Sequence, residues 1–409
     1  MRSSLGAAAT LIALTGSAHA QDLQNSDRIE RGRYIAILSD CSGCHTAPGG
    51  QLFAGGLALE TPFGKILAPN ITPDRDTGIG AWTDEEFISA VREGRGHGGE
   101  RLYPAMPYPA YTKLSDEDVR DLRAYFATIE PVKNKVISNQ LPFPFNIRAS
   151  LIGWNMLNFT SGRFQPNPQK SAEWNRGAYL VQAAGHCGTC HTPKTLLGGD
   201  KNDMALAGAT LQGWFAPNIT TDGHKGIGGW SKDDLIQYLK TGSNAWTLAS
   251  GPMAEAVAHS TSLMKDEDIA AIATYLKDSG TGGNAPRPAP LAADTPAMKA
   301  GAAIYKDNCA ACHKDNGSGE PNLFPRLAGS ALVQSDDATT LMHVVLQGTR
   351  AVSTAAAPTA PAMPAFDWRL NDAQIAAVVT YIRNSWGNAA GQVPAGDVTS
   401  QRAALAKTQ

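Results

Sequence analysis

Residues 185–195 read "GHCGTCHTPKT", and the centre of this stretch recurs as "SDCSGCHTAPG" at 39–49 and as "DNCAACHKDNG" at 307–317. All six cysteines fall in these three CxxCH units: Cys41 and Cys44 before His45, Cys187 and Cys190 before His191, Cys309 and Cys312 before His313. In such a unit the two thiols add across the vinyl groups of a haem, and the adjacent histidine is held against the iron as its proximal ligand. A thioredoxin-like redox pair does not need the following histidine, and a zinc site needs four converging ligands. Three complete units with no cysteine left over point to three c-type haems (heme c) per chain. Three haems in one chain imply an electron relay.

The first two units lie in longer repeats. "ERGRYIAILSDCSGCHT" (30–46) matches "NRGAYLVQAAGHCGTCHT" (175–192), and "APNITPDRDTGIGAWTDEEF" (68–87) matches "APNITTDGHKGIGGWSKDDL" (216–235). The third copy keeps the frame but has "GSGEPNLFPRLAGS" where the others have "APNIT". Self-similarity of this kind means duplicated domains. In each copy a helical segment leads into CxxCH, with Gly32, Gly177 or Gly301 on it. Each copy closes on a second helix, with apolar residues at helical spacing and acidic residues in the first turn, carrying Tyr125, Tyr275 or Tyr381. A glycine facing a tyrosine lets two helices cross closely, a pairing that resembles the terminal-helix contact of class I cytochromes c. "WTDEEFISAVREG" and "WSKDDLIQYLKTG" add a helix opened by a capping box and stopped by glycine.

The expected fold is therefore all-α, three tandem class I cytochrome c domains over residues 21–130, 171–279 and 297–387. A length of 409 residues agrees with about three domains, and 41 Gly and 25 Pro predict many loops. Residues 131–170 form a connecting segment, unusually aromatic and too long for a plain tether, which packs over the domains or against a partner. Residues 280–296 read as a Pro/Ala/Gly linker and 388–409 as a flexible tail. Residues 1–20 have the form of a signal peptide: Arg2, an apolar run from Leu5 to Leu14, and "SAHA" before Gln21. Cleavage after Ala20 would export the mature chain, an uncleaved anchor being the alternative. Lys plus Arg number 35 against 37 Asp plus Glu, with no basic stripe, which argues against a nucleic-acid partner.

A haem with histidine on one side needs its other position accounted for, because methionine keeps iron six-coordinate and raises its potential. The candidates are Met106 in "LYPAMPYPAY", Met253 in "SGPMAEAV" and Met363 in "APAMPAF", each 50 to 62 residues after its histidine and beside or near a proline. A lone methionine is ordinarily core filler. Here the position repeats. Met264, at the mouth of a closing helix, is the rival in the middle domain, and Met204 follows His191 too soon. His97, His186, His224, His259 and His343 read as surface or satisfied polar residues, and His19 leaves with the signal peptide. Asn70, Asn218, Trp82 and Trp230 either donate to haem propionates or fix a turn.

The order of the three units, with the "APNIT" segments, "LYPAMPY", "LPFPFN", "WNRGAYLV" and "GHCGTCHTPK", resembles the triheme cytochrome c subunits of membrane-bound dehydrogenases that face the bacterial periplasm. That family serves alcohol, gluconate, sorbitol, fructose, glucose and aldehyde dehydrogenases. The resemblance implies a separate catalytic subunit bearing flavin, pyrroloquinoline quinone or a molybdenum cofactor. It also implies electron delivery to ubiquinone or another periplasmic acceptor, from the outer face of the cytoplasmic membrane. Many members end in a longer anchor, whereas "VTSQRAALAKTQ" is short and polar. Membrane association is therefore expected to be peripheral, through the partner or through the aromatic stretch 141–159.

Two other function classes compete. A peroxidase-like haem enzyme needs an open iron with acid–base groups nearby, and the repeated methionine loops argue against it. A free electron shuttle is usually small with a single haem. No residue set here is suited to oxidise an organic substrate.

Overall fold

The computed structural model describes residues 12–278, 280 and 287–407. In the first repeat, helix α1 (Ile12–Leu38) leads into a single helical turn over Cys41–His45. A hairpin of β1 (Ala58–Thr61) and β2 (Gly64–Leu67) follows, then α2 (Asp84–Glu93) and the closing helix α3 (Asp116–Phe126). The connection adds β3 (Asn139–Gln140) to β2 and forms α4 (Leu151–Asn158). The second repeat has α5 (Ala172–Tyr179), a π-helical turn to Ala184, a turn over Gly188–His191, the hairpin β4 (Ala209–Leu211) and β5 (Trp214–Ala216), then α6 (Lys232–Thr241) and α7 (Asp266–Leu276). In the third, α8 (Pro296–Asn308) precedes the turn Ala310–His313. It is followed by α9 (Thr339–Gln347), the pair β6 (Thr349–Arg350) and β7 (Ala362–Met363), α10 (Asp372–Arg383) and α11 (Ala395–Leu405).

Local chemistry sets the helix ends. Thr83 with Glu86, and Ser231 with Asp234, form reciprocal capping boxes that satisfy the first amides of α2 and α6. Gly94 and Gly242 stop the same helices in the left-handed region, at φ 61° and 77°. The paired first and last helices then cross on glycine. A Cβ at Gly32 would lie 1.9 Å from the Asp121 carbonyl oxygen and 2.9 Å from Cβ of Tyr125, and Gly177 and Gly301 meet α7 and α10 in the same way.

The first two repeats share one apolar core, running from Ile35, Leu38 and Leu122 to Leu180, Ile269 and Leu276. Their joint is reciprocal. Tyr34 on α1 donates to Asp268 on α7 at 2.8 Å, and Tyr179 on α5 donates to Asp118 on α3. The third repeat has a core of its own around Val333, Leu346, Ile375 and Val379, and docks on the second. There Thr340 Oγ1 accepts from the Phe215 amide at 2.7 Å and donates to the Phe215 carbonyl at 3.1 Å, while His343 stacks on Trp214 with ring centroids 3.9 Å apart. The second repeat thus touches both others.

The structure departs from the sequence reading in two places. The described residues are largely helical, but an all-α description omits three small antiparallel sheets among them, whose strands of two to four residues are too short to show a period of two. The expected flexible tail is instead ordered as α11. Its Val398 and Leu405 are buried against the third core, and Arg402 donates to Asp372 and to the Leu370 carbonyl. Those two apolar residues, one heptad apart in a polar, alanine-rich stretch, make a stripe too narrow to stand out. The connecting segment lies against the first repeat: Tyr108 donates to Asn155 at 2.7 Å, and its ring packs on Phe159. Of the expected linker 280–296, residues 281–286 lie outside the described residues, as does the expected leader through residue 11.

Candidate functional site

Each CxxCH unit forms one short helical turn after the leading helix. In the first two repeats the residue before the first cysteine, Asp40 (φ 47°) or His186 (φ 36°), turns the chain sharply in the left-handed region. All six cysteines are unpaired. Burial pushes the Cys44 and Cys187 thiols up to about 12 and that of Cys309 to about 11, and raises Cys41 and Cys190 as well. They stay protonated at neutral pH.

The three histidines are held alike. Nδ1–H of His45 donates to the carbonyl of Pro69 at 2.8 Å, that of His191 to Pro217 at 2.6 Å, and that of His313 to Pro325 at 3.0 Å. A carbonyl only accepts, so Nδ1 carries the proton and the Nε2 lone pair is left for a metal. Burial lowers the pKa of all three imidazoles, keeping them neutral, with the proline carbonyl opposing this in part. A glycine completes each clamp. The amides of Gly55, Gly208 and Gly319 donate to the His45, His191 and His313 carbonyls at 2.7, 2.7 and 3.1 Å. All three glycines have positive φ, and a Cβ on any of them would strike the clamping strand, at 2.6 Å from Ala68 O, 3.0 Å from Ala216 O or 2.7 Å from Pro325 O. Two thiols and an oriented neutral imidazole, three times over, fit covalent haem c.

The candidate methionines all lie partly buried at the cores that the cysteines also meet. Met106 and Met253 pack against the shared core with Cys41 and Cys187, and Met363 packs against the third core with Cys309. Met106 sits in a turn, its amide donating to Tyr103 and its carbonyl accepting from Tyr108. Met253 is the second residue of a short helix, Pro252–His259, which follows Gly251 at φ 55°. Met363 lies on β7, paired with Thr349. Met264 is 3% exposed within the core, the position of core filler, and Met204 is exposed.

The "APNIT" segments fix turns. Asn70 Oδ1 accepts from the Thr72 amide at 2.9 Å and Nδ2 donates to the Val132 carbonyl at 2.7 Å, so its amide is engaged within the protein; Asn218 Oδ1 accepts from the Thr220 amide at 2.7 Å. Trp82 stacks near His97, which pairs with Glu86 at 2.9 Å. His186 and His343 serve as joints between repeats, bonded to the carbonyls of Ser39 and Gly213. The proline clamp itself was not read from the sequence. Its signal was the proline of "APNIT", retained as Pro325 in a third repeat that otherwise lacks the motif.

Residues 29–130, 175–280 and 298–386 each match the family model Cytochrome c. The chain belongs to the cytochrome c family. This cytochrome is 43% identical over 412 residues to the gluconate 2-dehydrogenase cytochrome c subunit of Pantoea cypripedii, covering 95% of the chain and 92% of that relative. It is 40% identical over 425 residues to the alcohol dehydrogenase (quinone) cytochrome c subunit of Gluconobacter oxydans, covering 97% and 87%. The fructose dehydrogenase cytochrome subunit of Gluconobacter japonicus is 41% identical over 404 residues, covering 92% and 82%. Family and relatives support covalently bound haem and a role in electron transfer.

Proposed function

We propose that this cytochrome is the electron-transfer subunit of a dehydrogenase complex, built as three tandem class I cytochrome c domains with one haem c on each CxxCH unit. The threefold His–proline carbonyl clamp carries this reading, because it readies three identical axial ligands in one chain. When bound, the haems supply one-electron chemistry at iron. Cys41, Cys44, Cys187, Cys190, Cys309 and Cys312 tether them. His45, His191 and His313, together with Met106, Met253 and Met363, would hold the haem irons. The Tyr34–Asp268 and Tyr179–Asp118 bonds fix the spacing of the first two attachment segments, and the Trp214–His343 stack fixes the third against the second.

The electron source is a separate catalytic subunit with flavin, pyrroloquinoline quinone or a molybdenum cofactor, and the acceptor is ubiquinone or a periplasmic carrier. The names of the relatives support such a partner. The chain is exported with a leader cleaved after Ala20 and works in the periplasm, peripherally attached at the outer face of the cytoplasmic membrane. The test is isolation from the native membrane in mild detergent, with identification of the co-purifying subunit and its cofactor. Alone, the cytochrome is expected to turn over no organic substrate, and to be reduced rapidly when the catalytic subunit and its substrate are added. Recovery as a lone protein with substrate turnover of its own would overturn the assignment.

A further inference from the structure

Helix α4 is apolar on its exposed side as well as its buried one. Its inward side carries buried Leu151 and Asn155 with half-buried Trp154 and Asn158, and Asn155 is bonded to the Tyr108 hydroxyl. Its outward side carries Ile152, Met156 and Leu157, and Met156 is 82% and Leu157 74% exposed. At 3.6 residues per turn these three share one face. Solvent would select the reverse.

The apolar face continues beyond the helix. Phe143, just before it, is 79% exposed, and Phe145, also exposed, lies 5.1 Å from the Phe63 ring in the turn of the first hairpin. Gly198 reaches the other side of Phe63: a Cβ there would be 3.3 Å from that ring. Gly198 belongs to the loop after the second CxxCH unit, whose Leu196 is 98% exposed and whose Leu197 carbonyl accepts from Trp154 Nε1 at 2.8 Å. Two segments from different repeats therefore meet, and both expose apolar side chains beside the contact.

Charge is arranged to match. Residues 136–162 contain no carboxylate and one charge, Arg148, which donates to the Arg101 carbonyl and lies over the Tyr103 ring; Lys135 and Arg163 flank the stretch. An anionic headgroup layer meets no like charge from that stretch, and the nearest carboxylates of the adjoining loop and hairpin, Asp200 and Glu60, are paired with Lys194 and Lys65. Among the described residues no helix is long and apolar enough to cross a membrane. Side chains that stand out singly from a helix and a loop tip need a complementary pocket in a protein partner, but none in a bilayer, which closes around them.

We propose that α4, the Phe143–Phe145 approach and the Leu196–Leu197 loop tip form a lipid-contacting surface. It seats the chain on the membrane by inserting Phe143, Met156, Leu157 and Leu196 at the headgroup–acyl boundary. This rests on the peripheral attachment proposed above and names its contact surface.

The test is flotation of the mature haem-loaded protein with vesicles of phosphatidylcholine and phosphatidylglycerol. Wild type is expected to float, and to keep floating at high salt because insertion is apolar. The Met156→Glu/Leu157→Glu variant and Leu196→Glu are expected to lose vesicle affinity, the double variant by a factor on the order of 100. Trp368→Glu, at an exposed tryptophan of the third repeat, is expected to float like wild type. The visible spectrum and thermal unfolding of each variant report haem loading and folding separately, so a failure of the haem reading appears there and not in flotation. Wild type that stays in solution, or glutamate variants that float unchanged, would overturn the proposal. So would a dimer that these variants split, or variants that lose the catalytic subunit yet keep the vesicles.

Discussion

The Tyr34 hydroxyl donates to Oδ2 of Asp268 at 2.8 Å and accepts from the Lys265 amide at 2.9 Å, and Tyr179 makes the equivalent pair with Asp118 and the Ser115 amide. Each of the first two repeats thus lends a tyrosine from its leading helix to the first turn of the other's closing helix. Tyr34→Phe and Tyr179→Phe are each expected to cost about 1 kcal/mol, a typical net value for a hydrogen bond. Chemical denaturation of the single and double variants checks this, and a near-zero cost for both would remove the exchange as a stabilising joint.

Two carboxylates, buried Asp268 and half-buried Asp40, predict opposite pH dependences. Burial pushes Asp268 up, but Arg176, bonded at 2.7 Å, and Tyr34 more than offset it, so its pKa lies below the usual carboxylate range. Its contribution to stability is present above the unfolded value and is lost as pH falls below about 4 and through the folded value. Burial raises Asp40 to about 7, against the Gly43 amide, which favours the charged form. Its contribution is present below the unfolded value of about 4 and is lost as pH rises through about 7. Thermal midpoints measured against pH should show Asp268→Asn flattening the acid limb and Asp40→Asn flattening the decline toward neutrality. Parallel curves for Asp40→Asn and wild type would contradict the second assignment.

Glycine substitutions should separate by environment. In Gly177→Ala the new Cβ would lie 1.9 Å from the Ala271 carbonyl oxygen, so the helices must part; a loss of about 3 kcal/mol or more is expected. Gly153 on α4 has nothing within 4 Å, and Gly153→Ala is expected to gain about 0.5–1 kcal/mol. Differential unfolding of the two variants is the check.

Replacing Met106, Met253 or Met363 by Ala is expected to open one haem each, seen as carbon monoxide binding by the reduced protein and a weakened near-infrared sulfur–iron band. Met264→Ala is expected to leave both signals unchanged and to cost about 2–5 kcal/mol, as for a buried side chain truncated in a core. Carbon monoxide binding by Met264→Ala in place of Met253→Ala would exchange their roles.

Much of this was legible because covalent chemistry and steric limits leave marks in sequence. The CxxCH spacing is set by haem attachment, the Gly32, Gly177 and Gly301 crossings by the lack of room for a Cβ, and the capping boxes by a side-chain pair three residues apart. The clamp at Pro325 works through a backbone carbonyl, which any residue has, so only the recurrence of the proline at 69, 217 and 325 marks it. The leading segments read as helices carrying Gly32 and Gly177, but nothing in them showed that Tyr34 and Tyr179 reach across to the other repeat. The aromatic run around Phe143 to Phe159 was visible, whereas its division into inward Trp154 and Phe159 and outward Phe143, Met156 and Leu157 depends on how Tyr108 and the 194–199 loop meet it.

The central claim is that one chain carries three covalent haems, one per clamped histidine. Intact mass of the mature protein, with the pyridine haemochrome of the same sample, tests it most directly. Three haems c per chain are expected, falling to two when Cys187 and Cys190 are both replaced by Ala. A count of one or two in the unaltered protein, with free thiols on the remaining unit, would contradict the account.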